Sequence, residues 1–281
     1  NPDRLLLPGE FVRAQIYAGQ VPDGLVVPQR AVSLTEDGGT VFVVDGEGQA
    51  AVRPVKLGAM VDGRWIVESG LKVGDRVIVT NLQKMINFYS TNLGFPILTV
   101  GSDYAVFRTG STVLMFEAVE DPEEETSPYY HFAFDIPNNR LDQAEAWLSE
   151  RVDLLKHQGE TQIPFEDWNA RAVYFHDPAG NIVEFIARKN LSNENEDAFS
   201  IDSVLRVSEI GWPCLMGYVD RDFQLPVWWE TEGFQAFGSE TGLILAVDAE
   251  RKWLPTDKRA LACPVTLVLT DEQGTREYYR R

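Results

Sequence analysis

The sequence predicts an α+β chain in which paired βαβββ units form a curved sheet, preceded by a small all-β, barrel-like segment. Three observations predict it. The order strand, helix, three strands runs through residues 74–118 and returns in 130–188. A shortened version comes after a polar linker, Asn190 to Ala198. Residues 9–82 instead hold short apolar runs broken by Gly, Asp and Pro, the pattern of a small barrel or sandwich. The predicted divisions are 1–73, 74–188 and 189–281.

In the first division, Phe11 to Ile16 alternates, and Gly24 to Val27 ends at Pro28. Val41 to Val44 ends at the turn dipeptide Asp45-Gly46, and Ala51 to Leu57 alternates again. Trp65-Ile66-Val67 and Arg76 to Val79 complete the set. In the second, Met85, Ile86, Tyr89 and Leu93 recur at helical spacing, predicting a helix over 83–93 with Asn81 as cap and Gly94 as stop. Strands come next at 97–100, 104–108 and 112–116, the last two joined by Thr109-Gly110-Ser111. The repeat has a strand at 130–136, a helix at 141–152, and strands at 172–175 and 182–187 around an Asp177-Pro178-Ala179-Gly180 turn. In the third division, strands are predicted at 204–211, 227–229, 234–237 and 242–247, with a short helix in 216–225 and a last strand at 265–269.

Composition excludes several classes. Of 281 residues, 25 are Lys or Arg and 43 Asp or Glu, a net charge of −18, which disfavours a nucleic-acid surface. Two cysteines cannot build a disulfide framework, and no apolar run reaches the roughly 20 residues of a membrane helix. The charge is uneven: net −2 over residues 1–83 and −16 over 84–281. The run Glu117 to Glu125 carries six carboxylates and reads as a solvated loop or as an acidic rim for cationic ligands. The chain begins Asn1-Pro2-Asp3, so it reads as processed or as a piece of something longer.

Two resemblances rest on particular phrases. Leu7-Pro8-Gly9-Glu10-Phe11-Val12, Val27-Pro28-Gln29-Arg30-Ala31-Val32 and Gly70-Leu71-Lys72-Val73-Gly74-Asp75-Arg76-Val77 resemble the periplasmic adaptor (membrane fusion) proteins of tripartite efflux pumps, at the end of the β-barrel and in the membrane-proximal domain. The family's helical hairpin and lipoyl domain have no counterpart here. Phe88 to Phe95, His131 to Ile136 and Asp177 to Glu184 resemble the vicinal oxygen chelate superfamily, which includes glyoxalase I, fosfomycin-resistance transferases, bleomycin-binding proteins and extradiol dioxygenases. Residues 75–84 serve both resemblances, as in a chimeric chain joined through a shared strand.

The second resemblance implies metal ligands on the first and last strands of each unit. It carries ligand roles to His131 and Glu184, a donor pair suited to Zn²⁺, Ni²⁺, Fe²⁺ or Mn²⁺. Period two places His131, Ala133 and Asp135 on one face, and Glu184 among Ile182 and Ile186, where a lone carboxylate is costly unless paired or coordinated. The alternative for His131 is a buried histidine hydrogen-bonded to a neighbour, and for Glu184 a salt-bridged core carboxylate. The first unit's first strand has no His; Asp75 is the residue there able to substitute as a ligand. Glu117, at the end of that unit, is a candidate ligand or base, or a solvated strand end. The third division's strand is expected to carry no His or Glu at the ligand positions, and its Trp228, Trp229 and Trp253 read as core or as an aromatic pocket. His157 reads as exposed, His176 as packing on the Asp177 turn, and Cys214 and Cys263 as buried apolar residues.

Three functions are expected to compete. One is a divalent-metal lyase, transferase or dioxygenase acting on a small molecule with adjacent oxygens, with Glu184 and Glu117 in catalytic roles and His131, Glu184 and Asp75 holding the metal. The second is a metal-free module that sequesters a small antibiotic-like ligand. The third is a structural or efflux-linked protein. Expected partners are a small molecule and either a second copy or another unit of the same chain. The two resemblances imply different compartments, periplasm for the first and cytoplasm for the second.

Overall fold

A computed structural model describes residues 24–35, 38–44, 50–61, 64–78, 80–118, 128–214, 225–271 and 274–280. The predicted strand at 11–16, most of the acidic run and all but the last residue of the helix predicted in 216–225 lie outside these residues.

The first segment folds as predicted, all-β. Strands β1 (Leu25–Pro28), β2 (Val32–Thr35), β3 (Gly38–Val44), β4 (Ala50–Val61) and β5 (Arg64–Ser69) run β1-β5-β4-β3-β2. Val27, Val32, Val41, Val43, Val55 and Val67 form its core. Strand β6 (Arg76–Ile78) pairs antiparallel with Phe42–Val44 of β3, beyond the stretch of β3 taken by β2. The shared strand is therefore a strand of the N-terminal sheet, and among the described residues the βαβββ unit C-terminal to it has no other first strand.

That unit continues with α1 (Thr80–Ile86), a π-helical turn (Asn87–Asn92), and β7 (Ile97–Val100), β8 (Tyr104–Thr109) and β9 (Thr112–Glu117) in a three-stranded sheet. The predicted cap Asn81 falls inside the helix. The helix loosens because the Ser90 hydroxyl donates to the Ile86 carbonyl at 2.6 Å, competing for an acceptor of the α-helical ladder. Gly94 ends the segment at φ +90, as its position predicts.

The hairpin loop of β8 and β9 docks the unit: Ser111 N–H donates to Leu205 O at 2.8 Å, and Thr112 Oγ1 accepts from Val207 N–H at 2.8 Å. Gly110 has φ +62, and a Cβ there would land on the Leu205 carbonyl oxygen. Gly110→Ala is expected to cost about 2–4 kcal/mol, from left-handed strain and overpacking together. Urea unfolding checks this, and a loss below about 0.5 kcal/mol would refute it.

The rest forms one eight-stranded sheet. The second unit supplies β10 (His131–Ile136), α2 (Leu141–Ser149), β11 (Ile163–Phe165), β12 (Ala170–His176) and β13 (Ile182–Arg188). The third supplies β14 (Arg206–Cys214), β15 (Val227–Thr231), β16 (Phe234–Ser239) and β17 (Gly242–Asp248). The order is β11-β12-β13-β10-β14-β17-β16-β15. Each unit pairs its first strand parallel to its last, and the two first strands meet antiparallel at the centre. The third unit, which the sequence presents as an extra half, is thus the pairing partner of the second. A hairpin of β18 (Val265–Asp271) and β19 (Gly274–Arg280) packs Leu267, Leu269 and Tyr278 near Trp212, Phe237 and Ile244. The sequence predicted only its first strand.

The sheet buries both faces, which accounts for the nearly continuous apolar runs of β10 and β13. Phe132, Phe134, Ile136, Val183, Phe185 and Ala187 pack in the core that holds α1 and α2. Ala133, Ile182, Ile186, Leu243 and Leu245 face a second core. Tyr89 of the first unit donates its hydroxyl to Asp177 Oδ2 at 2.9 Å. Asp177 also accepts from Ala179 N–H and Asn181 N–H, both at 3.0 Å, which closes the predicted turn with Gly180 at φ +80. His176 contacts the Asn181 carbonyl at this turn, as expected, and His157 is half-buried rather than exposed. Cys263 is buried and Cys214 partly so. No helix among the described residues is long and apolar enough to cross a membrane.

Candidate metal centre

The register places Ala133 opposite Glu184 on one side and Glu209 on the other. His131, two residues earlier on β10, shares their face. One ligand atom from each of His131, Glu184 and Glu209 lies within 4.8 Å of the others, and all three side chains are buried. The structure therefore joins the two predicted ligands of the second unit to Glu209, from a strand expected to offer none.

A bulge explains the missed residue. Ala133 pairs with Glu209 but Phe134 pairs with Val207, so Ser208 is an extra residue on β14. Strict alternation would put Val207 and Glu209 on one face. Val207 instead packs against the core of α1 and α2, while Glu209 faces the opposite side. The signal available in the sequence was the one used for Glu184: a lone carboxylate in an apolar strand.

The other two predicted site residues lie elsewhere. Asp75 pairs with Arg53 of β4 and accepts from Lys72 N–H at 2.8 Å, a bond within the N-terminal segment. Its neighbouring strand β6 has joined that sheet, so it is not among the grouped residues. Glu117 ends β9 exposed, on the solvent side with Val113 and Met115. Trp253 does line the group, with its ring centroid 4.8 Å from that of His131. Trp228 packs edge-on against Trp168 at 4.7 Å instead.

The protonation states follow from position. A carbonyl oxygen only accepts, so the 3.1 Å contact of His131 Nδ1 with Ile182 O puts the proton on Nδ1. Burial lowers the imidazole pKa to about 4, against a smaller rise from the Ile182 bond. His131 is neutral at pH 7, and its Nε2 lone pair faces Glu184 Oε2 at 3.5 Å. This contact is no ion pair. Two acceptors face each other, which is unfavourable unless a proton or a cation lies between them.

Burial pushes Glu184 well above its usual range, and the Glu209 charge adds to this; the Tyr174 hydroxyl and Arg188 pull the other way. Burial also raises Glu209 and Asp135, with Arg188 opposing both. Three buried carboxylates thus stand around fully buried Arg188, with half-buried Arg206 at the edge.

The donor types suit a divalent ion, and the His131–Glu184 spacing fits one. Two ligands each about 2.1 Å from a tetrahedral ion stand roughly 3.4 Å apart, close to the His131–Glu184 spacing. Nδ1–H donation to a carbonyl is the usual orientation of a ligating histidine. Strand β17 presents Leu243, Leu245 and Val247 to this face, so it adds no ligand to the group. A cleft of about 480 Å³ lined by Asp142, Glu145 and Thr161 lies along α2, across the sheet from this group.

Comparison with known proteins is consistent with a joined chain. Residues 23–84 match the family "RND MFPs, C-terminal permuted SH3 domain". Residues 73–185 match the "Glyoxalase/Bleomycin resistance protein/Dioxygenase superfamily". Multidrug export protein AcrE of Escherichia coli K12 is 46% identical over 85 residues, 30% of this chain and 22% of that protein. Multidrug efflux pump subunit AcrA of the same strain is 43% identical over 86 residues, again 30% and 22%. The chain thus spans about a fifth of the length of these curated relatives.

Among solved structures, a putative dioxygenase from Bacillus subtilis has a TM-score of 0.42 at 16% identity, covering 59% of each chain. A glyoxalase/bleomycin resistance protein/dioxygenase from Nocardioides has 0.32 at 21% identity, covering 42% of this chain and 82% of that one. These likenesses are too partial to bear on activity. Residues 23–84 thus match the efflux-adaptor C-terminal domain family and residues 73–185 the glyoxalase/bleomycin resistance/dioxygenase superfamily, and residues 73–84 lie in both matches.

Proposed function

We propose that the chain is a divalent-metal enzyme of the glyoxalase or dioxygenase type, acting on a small molecule that presents adjacent oxygens. The ion would be held by His131, Glu184 and Glu209. The observation that carries this reading is the buried His131 lone pair facing a buried carboxylate, beside a second carboxylate. When bound, the ion would supply Lewis-acid stabilisation of negative charge developing on substrate oxygen.

The chain's own residues prepare the site. Ile182 O fixes the imidazole tautomer, and the Tyr174 hydroxyl donates to Glu184. Trp253 covers His131 and excludes water; it belongs to a strap tied down by Lys258 Nζ donating to Gly180 O at 2.7 Å. A Cβ on Gly211 would stand 2.7 Å from the Trp253 ring, so glycine there allows this cover. Glu184, whose pKa burial pushes well above the usual carboxylate range, is the candidate to carry a proton for the reaction.

Metal analysis and calorimetry test the reading. One divalent ion per chain is expected. His131→Ala, Glu184→Gln and Glu209→Gln should each weaken binding by more than the roughly 10–100-fold typical of a supporting residue. Asp75→Asn and Glu117→Gln should leave it unchanged. Retained binding after loss of His131 and Glu184 would sink the proposal.

A further inference from the structure

Arg188, the last residue of β13, is completely buried, and its guanidinium reaches two neighbouring strands, β10 and β14. It lies on the Glu184 face by period two. Its Nη1 donates to Ser208 Oγ at 3.1 Å and approaches Asp135 Oδ1 at 3.5 Å. Its Nη2 donates to Glu209 Oε1. Ser208 is the bulged residue of β14, so the bulge turns two neighbouring side chains toward one guanidinium.

We propose that Arg188 is a positioning residue: it ties down one oxygen of Glu209 and holds the other toward His131 and Glu184, completing the three-ligand set. The inference rests on the metal reading above. Several features support a built device. Glu209 stands beside the bulge, and one arm of the planar guanidinium restrains it while the other arm is held by Ser208 and Asp135. Asp135 and Ser208 fix the guanidinium in turn, so the restraint is referred to β10 as well as β14. Glu184 has no such cation bond; the Tyr174 hydroxyl serves it.

Lysine keeps the charge and loses the fork, so Arg188→Lys isolates positioning from electrostatics. The experiment is Mn²⁺ titration of the full chain by calorimetry for the unmodified protein, R188K, E209Q and the double variant. R188K is expected to weaken Mn²⁺ binding about 10–100-fold. The double variant should bind no more weakly than E209Q alone, because without the Glu209 carboxylate there is nothing to position. Ser208→Ala removes one anchor without stranding a charge; it is expected to give a smaller loss and serves if R188K does not fold. Affinity of R188K within about threefold of the unmodified chain would overturn the inference alone. So would losses that multiply in the double variant. Failure of the unmodified chain to bind Mn²⁺ would overturn the metal reading and this inference with it.

Discussion

Phe134→Ala is expected to lower stability by about 3–5 kcal/mol, the cost of deleting a fully enclosed aromatic ring whose cavity cannot collapse. Phe134 has no solvent exposure. It stacks on Phe95 at 5.1 Å and meets Phe132 and Phe185 edge-on at 5.7 and 5.6 Å. Phe95 belongs to the first unit and the other rings to the second, so the ring is a joint between units as well as core filler. Two measurements separate these roles. Urea unfolding gives the total loss, and hydrogen exchange over α1 and β7–β9 reports whether the first unit loosens from the sheet. Phe134→Leu should recover much of the loss. An alanine variant within about 1 kcal/mol of the unmodified chain would mean that this core repacks freely.

The same strand shows what a sequence can and cannot disclose. The alternation of His131 to Ile136 was legible, and so was the face it assigns to His131 and Asp135, because each residue's direction depends only on its neighbours. The Asp177 turn was legible for the same reason: its hydrogen bonds run between residues two to four apart. Three features depended on distant partners and were not. Strand β6 could pair with either sheet, and the free part of β3 captured it. The second unit's partner could be the unit before it or after it, and β14 took the central position beside β10. Glu209 stood out as a carboxylate in its strand, but the face it takes depends on a one-residue bulge, which reverses every side chain beyond it. The resemblance placed a candidate first-strand ligand at Asp75, yet the third member of the buried group, Glu209, comes from the third unit because that is where the pairing strand came from.

Glu184→Gln is expected to stabilise the protein in chelator and to abolish its stabilisation by metal, reversing the order of the two proteins between the two conditions. In chelator, the carboxylate is buried against a neutral imidazole lone pair and a second carboxylate. A glutamine amide can donate to His131 Nε2 and accept from Tyr174, so about 1–3 kcal/mol of unfavourable burial is relieved. The sign with pH comes from the raised folded-state pKa. Stability from the protonated carboxyl is fully present below its ordinary value of 4.5 and lost as pH rises through the folded value. The advantage of the glutamine variant should therefore grow as pH rises. His131 works in the opposite direction, losing its contribution as pH falls from 6.5 toward about 4, but it is present in both proteins. With Mn²⁺ at a hundred times its dissociation constant, the unmodified chain should gain about 2.7 kcal/mol and the variant almost nothing. Urea unfolding at pH 5 and pH 8, in chelator and in Mn²⁺, supplies all four comparisons. A variant less stable than the unmodified chain in chelator at pH 8, or equal Mn²⁺ stabilisation of both, would mean that Glu184 is a satisfied structural carboxylate. Otherwise the group trades stability of the empty fold for the capacity to hold an ion, and Glu184 is where that trade is made.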